Sequence, residues 1–400
     1  MQTKIGTFLA WASSQGITTP LKIQTDGSAY RSMVMPSDNP ELMSEIETSN
    51  TVNLVKVPLE SCIVAESSQE LAEKLLAEKE LGEKSKFHPW LEILPPIEDF
   101  HGMPRFWTPE RREFVQQYDG GQLEDRMSVD KIRFDKTNDD WALAVVDSRS
   151  NFLPDGTYSI SPMLDFFNHD CRVETSATVD DKKRLCLAIS SKSFREEGFQ
   201  SGADSKDFDS SPAGDWKDQL FGLFGGRPKE EASLQVASST AQIRKADDEI
   251  FISYGDLHNL ELLCNYGFVP ESNPANTETF QVKMMRQAPA PFVVDERGEI
   301  NNAFNQLSIS DLRLNLASLE EIESLEPFSQ GSKISDKNEV EVFALIAGEL
   351  EEAKYNAGAG ADLASEKGDI LVKNYLRGRE ATLSAALKKL EAKFPEIFGM

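Results

Sequence analysis

The chain has few of the side chains that hold metals or form disulfides, with four cysteines and four histidines in 400 residues. No pair of cysteines has the spacing of a zinc-ligand set, and four scattered thiols in so long a chain do not indicate a disulfide scaffold. The histidines are equally dispersed, so the sequence predicts no metal site and fits a reducing compartment. The residues concerned are Cys62, Cys171, Cys186, Cys264, His88, His101, His169 and His258.

Long apolar runs are also absent, since no stretch of the sequence approaches the roughly 20 residues needed to span a bilayer. The segment at 5–12 is too short and too polar for the core of a secretory signal. It predicts instead the first turns of an amphipathic helix, with Phe8, Leu9 and Trp11 facing inward. We therefore expect an intracellular protein without a membrane partner; the sequence does not distinguish cytoplasm, nucleus and plastid.

Basic residues are outnumbered, with 42 Lys and Arg against 67 Asp and Glu and a formal net charge of -25. Such a surface repels phosphate backbones, so we expect no nucleic-acid partner. Two interpretations of the acidity stay open: it favours a basic partner such as a lysine-rich segment, or it only keeps the protein soluble. The hydrophobic content of 40% is that of a soluble globular protein, and the length predicts two or three domains.

The first part of the chain mixes helical and strand-like patterns. A capping-box sequence at 67–70 predicts the start of a helix. Thr108 is a suitable N-cap, and Pro109 suits the first helical position. Strand-like patterns occur between residues 21 and 64, including 52–58, and again at 141–146 and 184–189.

Residues 190–232 are rich in Gly, Ser and Asp and predict a flexible insertion. Its apolar residues allow two interpretations, a short helix docked on the surface of the domain or a lid that docks a partner. From about residue 336 the pattern is helical, with helices predicted near 338–355 and 362–376. A last helix is predicted from one apolar face formed by Leu383, Leu387, Leu390 and Phe394.

Two separated motifs carry the functional prediction. The first is Asn168-His169 within the segment at 161–170, and the second is Ile252-Ser253-Tyr254-Gly255, followed by the segment at 259–268. In this order they resemble the cofactor and tyrosine motifs of SET-domain methyltransferases, in the subgroup of the Rubisco large-subunit lysine methyltransferase.

The resemblance implies an α+β protein in two parts. A β-rich, pseudoknotted SET domain is expected at 1–275, with a helical insert at about 66–135 and the insertion at about 190–232. An all-α domain, similar to the subgroup's substrate-binding domain, is expected at 276–400.

Methyl transfer to an amine requires alignment of nitrogen, methyl carbon and sulfur in a site that excludes water. The amine must also be neutral, which burial beside a sulfonium promotes. Tyr254 suits such a site, and the resemblance implies that its hydroxyl lies beside the transferred methyl as the catalytic group. Without the neighbouring motifs, a tyrosine closing a hairpin is the simpler interpretation.

The resemblance also implies which residues hold S-adenosyl-L-methionine. Asn168 contacts the amino-acid part, and the backbone of Asn168 and His169 binds adenine. Arg149 matches an arginine whose guanidinium suits a carboxylate, although an ordinary surface arginine is an equal alternative. Tyr266 and Phe268 resemble the aromatic wall beside the lysine channel and adenine, although aromatic residues at this spacing are more often plain core. We expect Phe268 to contact the cofactor, and Tyr266 and Asp165 to bind the acceptor lysine.

One departure concerns the Gly-x-Gly element with which the subgroup opens, since glycine permits close approach of the backbone to the cofactor. The corresponding stretch contains Tyr30, Arg31 and Ser32, with Arg31 and Ser32 at the small positions. We expect these three residues to border the cofactor.

Together these features predict an S-adenosylmethionine-dependent protein-lysine N-methyltransferase that acts as a monomer on a non-histone protein. Two alternatives remain: a catalytically silent SET-fold interaction module, or a protein-histidine methyltransferase of the same architecture. A histidine acceptor has an ordinary pKa of about 6.5 and is already neutral near pH 7.

Overall fold

The structure is a computed structural model that describes residues 2–25, 31–136, 139–194, 247–283, 290–301, 307–323 and 332–399. Most of the predicted insertion at 190–232 lies outside the described residues. Its first residues end a strand and form a short 3-10 helix at Ser191–Phe194.

The elements are numbered here in chain order. The helices are α1 (Gln2–Ser14), α2 (Pro40–Thr48), α3 (Ser68–Leu81), α4 (His88–Leu91), α5 (Pro109–Asp119), α6 (Gln122–Arg133), α7 (Asp140–Arg149), α8 (Asn259–Tyr266), α9 (Leu307–Leu316), α10 (Leu319–Glu323), α11 (Asp336–Glu366) and α12 (Ile370–Lys393). The strands are β1 (Lys22–Thr25), β2 (Arg31–Val34), β3 (Thr51–Pro58), β4 (Ile63–Ala65), β5 (Ser150–Phe152), β6 (Tyr158–Ile160), β7 (Thr175–Val179), β8 (Arg184–Ser190), β9 (Thr277–Val282), β10 (Ala290–Asp295) and β11 (Ile300–Asn301).

The chain forms two compact units. The first unit comprises residues 1–100 and 131–256, and the second comprises 101–130 and 257–400. By compactness the chain therefore divides after Asp256, and part of the predicted helical insert belongs to the second unit. The boundary expected at 275, between the SET domain and the C-terminal domain, remains a prediction.

The first unit is built on short antiparallel sheets. Strands β1 and β2 form a two-stranded sheet, and two three-stranded sheets have the orders β3-β8-β7 and β4-β6-β5. The strands predicted at 52–58 and 184–189 are confirmed as β3 and β8, which pair with each other. Their apolar residues, such as Val52 and Ile189, lie opposite each other and are buried.

Local capping explains where two helices begin. The Ser67 side chain accepts a hydrogen bond from the Glu70 N–H at the start of α3. The Thr108 side chain accepts one from the Arg111 N–H at the start of α5, and Pro109 is the first helical residue. Both predicted helix starts are confirmed.

Two local predictions in the first unit were wrong. The strand-like pattern at 141–146 belongs to helix α7, which begins where the Asp139 carboxylate accepts a hydrogen bond from the Ala142 N–H at 2.8 Å. The whole run is buried, so it lacks the one-sided periodicity that distinguishes a surface helix from a strand. In α1, Phe8 is fully buried as predicted, whereas Leu9 is 40% exposed.

The second unit contains the predicted C-terminal helices and a small sheet that the sequence analysis did not predict. Strands β9, β10 and β11 form an antiparallel sheet in the order β11-β10-β9. The predicted apolar face of the last helix is confirmed. It packs in one core with residues of α11 and of the sheet, including Leu383, Leu387, Leu390, Phe394, Val342, Ile346, Phe280 and Phe292.

The helices predicted near 338–355 and 362–376 are bounded differently in the structure. Helix α11 runs unbroken for 31 residues and ends before Gly368, which has a φ of +73°. Gly360 lies within it because an added Cβ would come within 2.5 Å of the Tyr118 ring and 2.9 Å of Leu376. Close packing therefore explains the glycine at position 360 within the unbroken helix.

A buried ion pair joins α12 to the small sheet of the second unit. Arg379 and Glu278, both almost wholly buried, are 2.7 Å apart. The Asp119 carboxylate accepts backbone hydrogen bonds from Gly121 and Leu123 at 2.8 Å, and burial raises its pKa. Removing one member of such a pair leaves a buried charge uncompensated, which is strongly destabilising.

No helix in the described ranges combines the length and apolar character that crossing a bilayer requires.

Replacing Leu383 by alanine tests the core of the second unit. Leu383 is fully buried among α11, α12 and the sheet, so the Leu383→Ala protein is expected to lose about 2–5 kcal/mol of unfolding free energy. Denaturant unfolding followed by circular dichroism measures the loss. Lys388→Ala, exposed on the same helix, is the control and should change stability by less than about 0.5 kcal/mol. Equal effects of the two substitutions would contradict this assignment of the core.

Candidate functional site

The site is organised by a segment at 247–254 that lies between two other parts of the first unit. On one side, the Met35 N–H donates to the Asp248 carbonyl at 2.9 Å and the Ile250 N–H donates to the Met33 carbonyl at 2.8 Å. On the other side, Ile252 pairs with the segment at 168–170. The β-like run at 250–253 therefore forms isolated bridges with both neighbours rather than a regular strand.

The pairing on the second side brings the two sequence motifs together. The Ile252 N–H donates to the Asn168 carbonyl at 3.0 Å, and the Asp170 N–H donates to the Ile252 carbonyl at 2.9 Å. This parallel bridge sets Tyr254 beside His169. The predicted proximity of the Asn-His pair to the tyrosine motif is thus observed.

Tyr254 is held at three points. Its N–H donates to His169 Nδ1 at 3.0 Å, and its hydroxyl donates to the Phe167 carbonyl at 2.7 Å. Its ring stacks on the His169 imidazole, with the ring centroids 5.0 Å apart. The phenol is consequently fixed in orientation.

The environment keeps both aromatic groups neutral near pH 7. Burial raises the pKa of Tyr254 to about 12; the nearby Glu249 and Asp165 carboxylates add to the rise, and Arg149 opposes it. Burial lowers the pKa of His169 to about 4, against the opposing effect of Asp170. The site therefore presents a phenol and a neutral imidazole.

Asn168 links the first motif to the beginning of β2. Its side-chain Nδ2 donates to Glu249 Oε1 at 2.6 Å and to the Arg31 carbonyl at 3.2 Å. Because the amide nitrogen has two acceptors, the orientation of the side chain is fixed. The amide oxygen then remains as an acceptor for another group.

Three charged residues form a cluster beside this arrangement. Arg149 Nη1 donates to the Asp165 carbonyl oxygen at 2.9 Å. The Asp165 carboxylate is flanked electrostatically by Arg149 and Arg31, although burial raises its pKa overall. The residue before this turn, Met163, has a φ of +77°, a conformation that non-glycine residues rarely adopt and that is found most often at functional sites.

The remaining predicted site residues are placed as follows. Ser32 is buried in β2, opposite Gln24 of β1, and Tyr30 lies outside the described residues. Tyr266 and Phe268 belong to the second unit, where their rings meet edge to face with centroids 6.2 Å apart. Their predicted contacts with acceptor and cofactor remain predictions.

Three contributors were missed by the sequence analysis. They are the Glu249 carboxylate, the Phe167 carbonyl and the Trp90 indole, whose N–H lies close enough to Asp165 to lower the pKa of that carboxylate. The acidic run at 247–249, just before the tyrosine motif, gave a weak signal for Glu249. No sequence signal pointed to the Phe167 carbonyl or to Trp90, which is distant in sequence from the motifs.

No family model matches the chain, and no curated protein matches it significantly. Several solved structures are similar over almost the whole chain. One is the SET domain of LSMT bound to lysine and AdoHcy, with a TM-score of 0.63 and 16% identity over 99% of this chain and 93% of that one.

A second is Rubisco LSMT bound to AdoMet, with a TM-score of 0.61 and 16% identity over 98% of this chain and 93% of that one. A third, with the same TM-score, identity and coverage, is Rubisco LSMT bound to sinefungin and monomethyllysine. The chain therefore has the SET fold. Within that class its architecture is like that of Rubisco LSMT, which confirms the predicted fold.

The low pKa of His169 predicts a pH-dependent stability. An unfolded histidine takes up a proton near pH 6.5, whereas His169 in the folded protein does so near 4. Between these values the unfolded state binds more protons, so stability is lost as the pH falls from about 7 towards 4, by at most roughly 3 kcal/mol. In a His169→Gln protein this part of the loss should disappear.

Urea unfolding at pH 7 and pH 5 of the wild-type and His169→Gln proteins measures the difference. Titration of the His169 ring by NMR provides a direct check. A ring pKa near 6.5 in the folded protein would contradict the buried, neutral assignment.

Proposed function

We propose that the chain is an S-adenosylmethionine-dependent protein-lysine N-methyltransferase. The observation that carries the proposal is the meeting of Tyr254 with Asn168 and His169, with the tyrosine hydroxyl 2.7 Å from the Phe167 carbonyl. The proposal is supported by the similar structures, which are of LSMT with lysine, AdoMet, AdoHcy or sinefungin bound.

Tyr254 acts in this proposal through its oxygen lone pairs. The hydroxyl hydrogen is committed to the Phe167 carbonyl, and a pKa of about 12 keeps the phenol protonated. The oxygen then presents lone pairs, which stabilise an amine N–H or the partly positive methyl group in the transition state. A fixed, neutral acceptor of this kind suits a reaction that needs alignment more than acid-base chemistry.

His169 positions the tyrosine and does not serve as a base. Its Nδ1 accepts the Tyr254 N–H, and its pKa of about 4 makes it a weak proton acceptor. Deprotonation of the acceptor lysine therefore relies on its entry into a buried site. There the neighbouring positive charge of the cofactor and the loss of water both lower the pKa of the ammonium.

The residues of the site fit S-adenosylmethionine, which supplies the methyl group as a sulfonium when bound. The Asn168 amide oxygen suits the ammonium of its amino-acid part, since the amide nitrogen is already engaged by Glu249 and Arg31. The buried Nε of Arg149 has no hydrogen-bond partner among the described residues. A carboxylate would satisfy it, as guanidinium groups bind carboxylates well.

The substrate in this proposal is a protein with an accessible lysine. The net charge of -25 favours approach of a basic segment. We propose that Asp165 and Tyr266 bind the acceptor lysine and that Phe268 contacts the cofactor. The helical region at 276–400 holds the substrate protein. The enzyme is a monomer and acts on a non-histone protein.

Substitution of Tyr254 by phenylalanine tests the catalytic role. The Tyr254→Phe protein keeps the ring stack on His169 but loses the oxygen, so turnover is expected to fall about a hundredfold or more with little change in cofactor affinity. Transfer of label from methyl-labelled S-adenosylmethionine to proteins of a cell extract measures turnover. Tyr355→Phe, at a tyrosine that is 76% exposed in the second unit, is the matched control.

Wild-type turnover in the Tyr254→Phe protein would remove this residue from the mechanism. Mass spectrometry of the labelled protein then identifies the acceptor. Label on lysine supports the proposal, label on histidine indicates the alternative chemistry, and no label despite cofactor binding indicates a silent interaction module.

Substitution of Asn168 by alanine tests the cofactor site. The Asn168→Ala protein loses the proposed acceptor for the ammonium, and its dissociation constant for S-adenosylmethionine is expected to rise at least about tenfold. Isothermal titration calorimetry measures the constant, and thermal unfolding shows whether the fold persists. Asn50→Ala, at an exposed asparagine of the same unit, is the control; equal constants in all three proteins would defeat the assignment.

A further inference from the structure

Two buried guanidinium nitrogens without a hydrogen-bond partner belong to the charged cluster of the candidate site. Within the described ranges they are Arg31 Nε and Arg149 Nε. Leaving a buried donor or acceptor unsatisfied is costly, and native proteins do so rarely. Two unpaired, buried guanidinium nitrogens at one place indicate that a ligand completes their hydrogen bonds.

Arg31 is the unexpected member of this group. It begins β2, at the position where the resemblance expects a small residue. Its side chain folds inward, where Nη1 donates to the Ile93 carbonyl and the guanidinium carbon lies 6.0 Å from the centre of the Phe166 ring. The guanidinium is thereby fixed next to the site instead of extending into solvent.

Two guanidinium groups and one buried carboxylate form the core of the cluster. Burial lowers the pKa of Arg31; Asp165 opposes this lowering, and the like charge of Arg149 adds to it. Asp165 is the buried carboxylate that both arginines face, while Asp99, which also attracts Arg31, is exposed to solvent. Glu249 is engaged by the Asn168 amide. Two desolvated guanidinium groups sharing one carboxylate favour the arrival of a second anion.

We propose that Arg31 binds the carboxylate of the cofactor's amino-acid part, together with Arg149. The ligand class is an α-amino-acid carboxylate, and the inference rests on the proposed function. In this proposal the Arg31 side chain makes a contact with the cofactor. It takes the place of the close backbone contact that a glycine at this position would allow. Two guanidinium groups give charge-assisted hydrogen bonds to a single carboxylate.

The test compares S-adenosylmethionine with decarboxylated S-adenosylmethionine, which keeps the sulfonium, the adenosine and the amine. Their dissociation constants are measured by calorimetry for the wild-type, Arg31→Ala and Arg31→Gln proteins. Removing the guanidinium is expected to weaken binding of S-adenosylmethionine about ten- to a hundredfold and to change binding of the decarboxylated compound less than about twofold. Arg31→Gln retains a polar side chain without the charge, so it carries the test if the alanine protein does not fold.

Arg184→Ala is the control. It removes a guanidinium that pairs with Asp180 on the β7–β8 hairpin and should leave both constants unchanged. Equal losses for both compounds, or no loss for either, in the Arg31 proteins overturn the carboxylate role. Tighter binding of S-adenosylmethionine by Arg31→Ala would show that Arg31 obstructs the site, which also overturns it. A wild-type protein that binds neither compound instead overturns the proposed function itself.

Discussion

The candidate site depends on the backbone pairing of the segment at 247–254 with β2 on one side and with residues 168–170 on the other. Main-chain hydrogen bonds determine the register in which these parts meet. The hydrogen bond from the Ile252 N–H to the Asn168 carbonyl places Tyr254, two residues later, beside His169. The imidazole of His169 and the carbonyl of Phe167 then fix its ring and its hydroxyl.

The chemistry suggested by this arrangement is one of placement and exclusion of water. The phenol and the imidazole are both neutral near pH 7, and the phenol donates its hydrogen to the Phe167 carbonyl. Charge in the site comes from the arginines and from carboxylates held by neighbouring groups. Such a distribution fits a reaction in which a charged cofactor meets an uncharged nucleophile, and in which electrostatic preorganisation contributes most of the effect.

Much of this could be predicted from the sequence where the signal is local. Capping residues such as Ser67 and Thr108 indicate helix starts by their own hydrogen bonds, and the apolar face of α12 follows from helical periodicity. The run at 141–146 was misread as a strand because burial on all sides removes periodicity. The sheet formed by β9 to β11 was missed because its apolar residues pack against α11 and α12, a tertiary contact that no local pattern reveals.

The residues of the candidate site also fall into two groups, those with a sequence signal and those placed by tertiary packing. The motif residues Tyr254, Asn168 and His169 could be found because their order along the chain is distinctive. The inward course of Arg31 and the approach of Trp90 to Asp165 could not, since they depend on tertiary packing between segments far apart in sequence. Side-chain direction at a strand end is set by such packing rather than by residue type.

The same long-range pairing has a consequence for biosynthesis. Met33 emerges early from the ribosome, yet its partner Ile250 is made only after more than half of the chain. Until then β2 has an unpaired edge, and closure of so long a loop carries an entropic cost that slows assembly. The nascent protein is therefore exposed to misassociation for most of its translation, and the candidate site is among the last parts of the first unit to form.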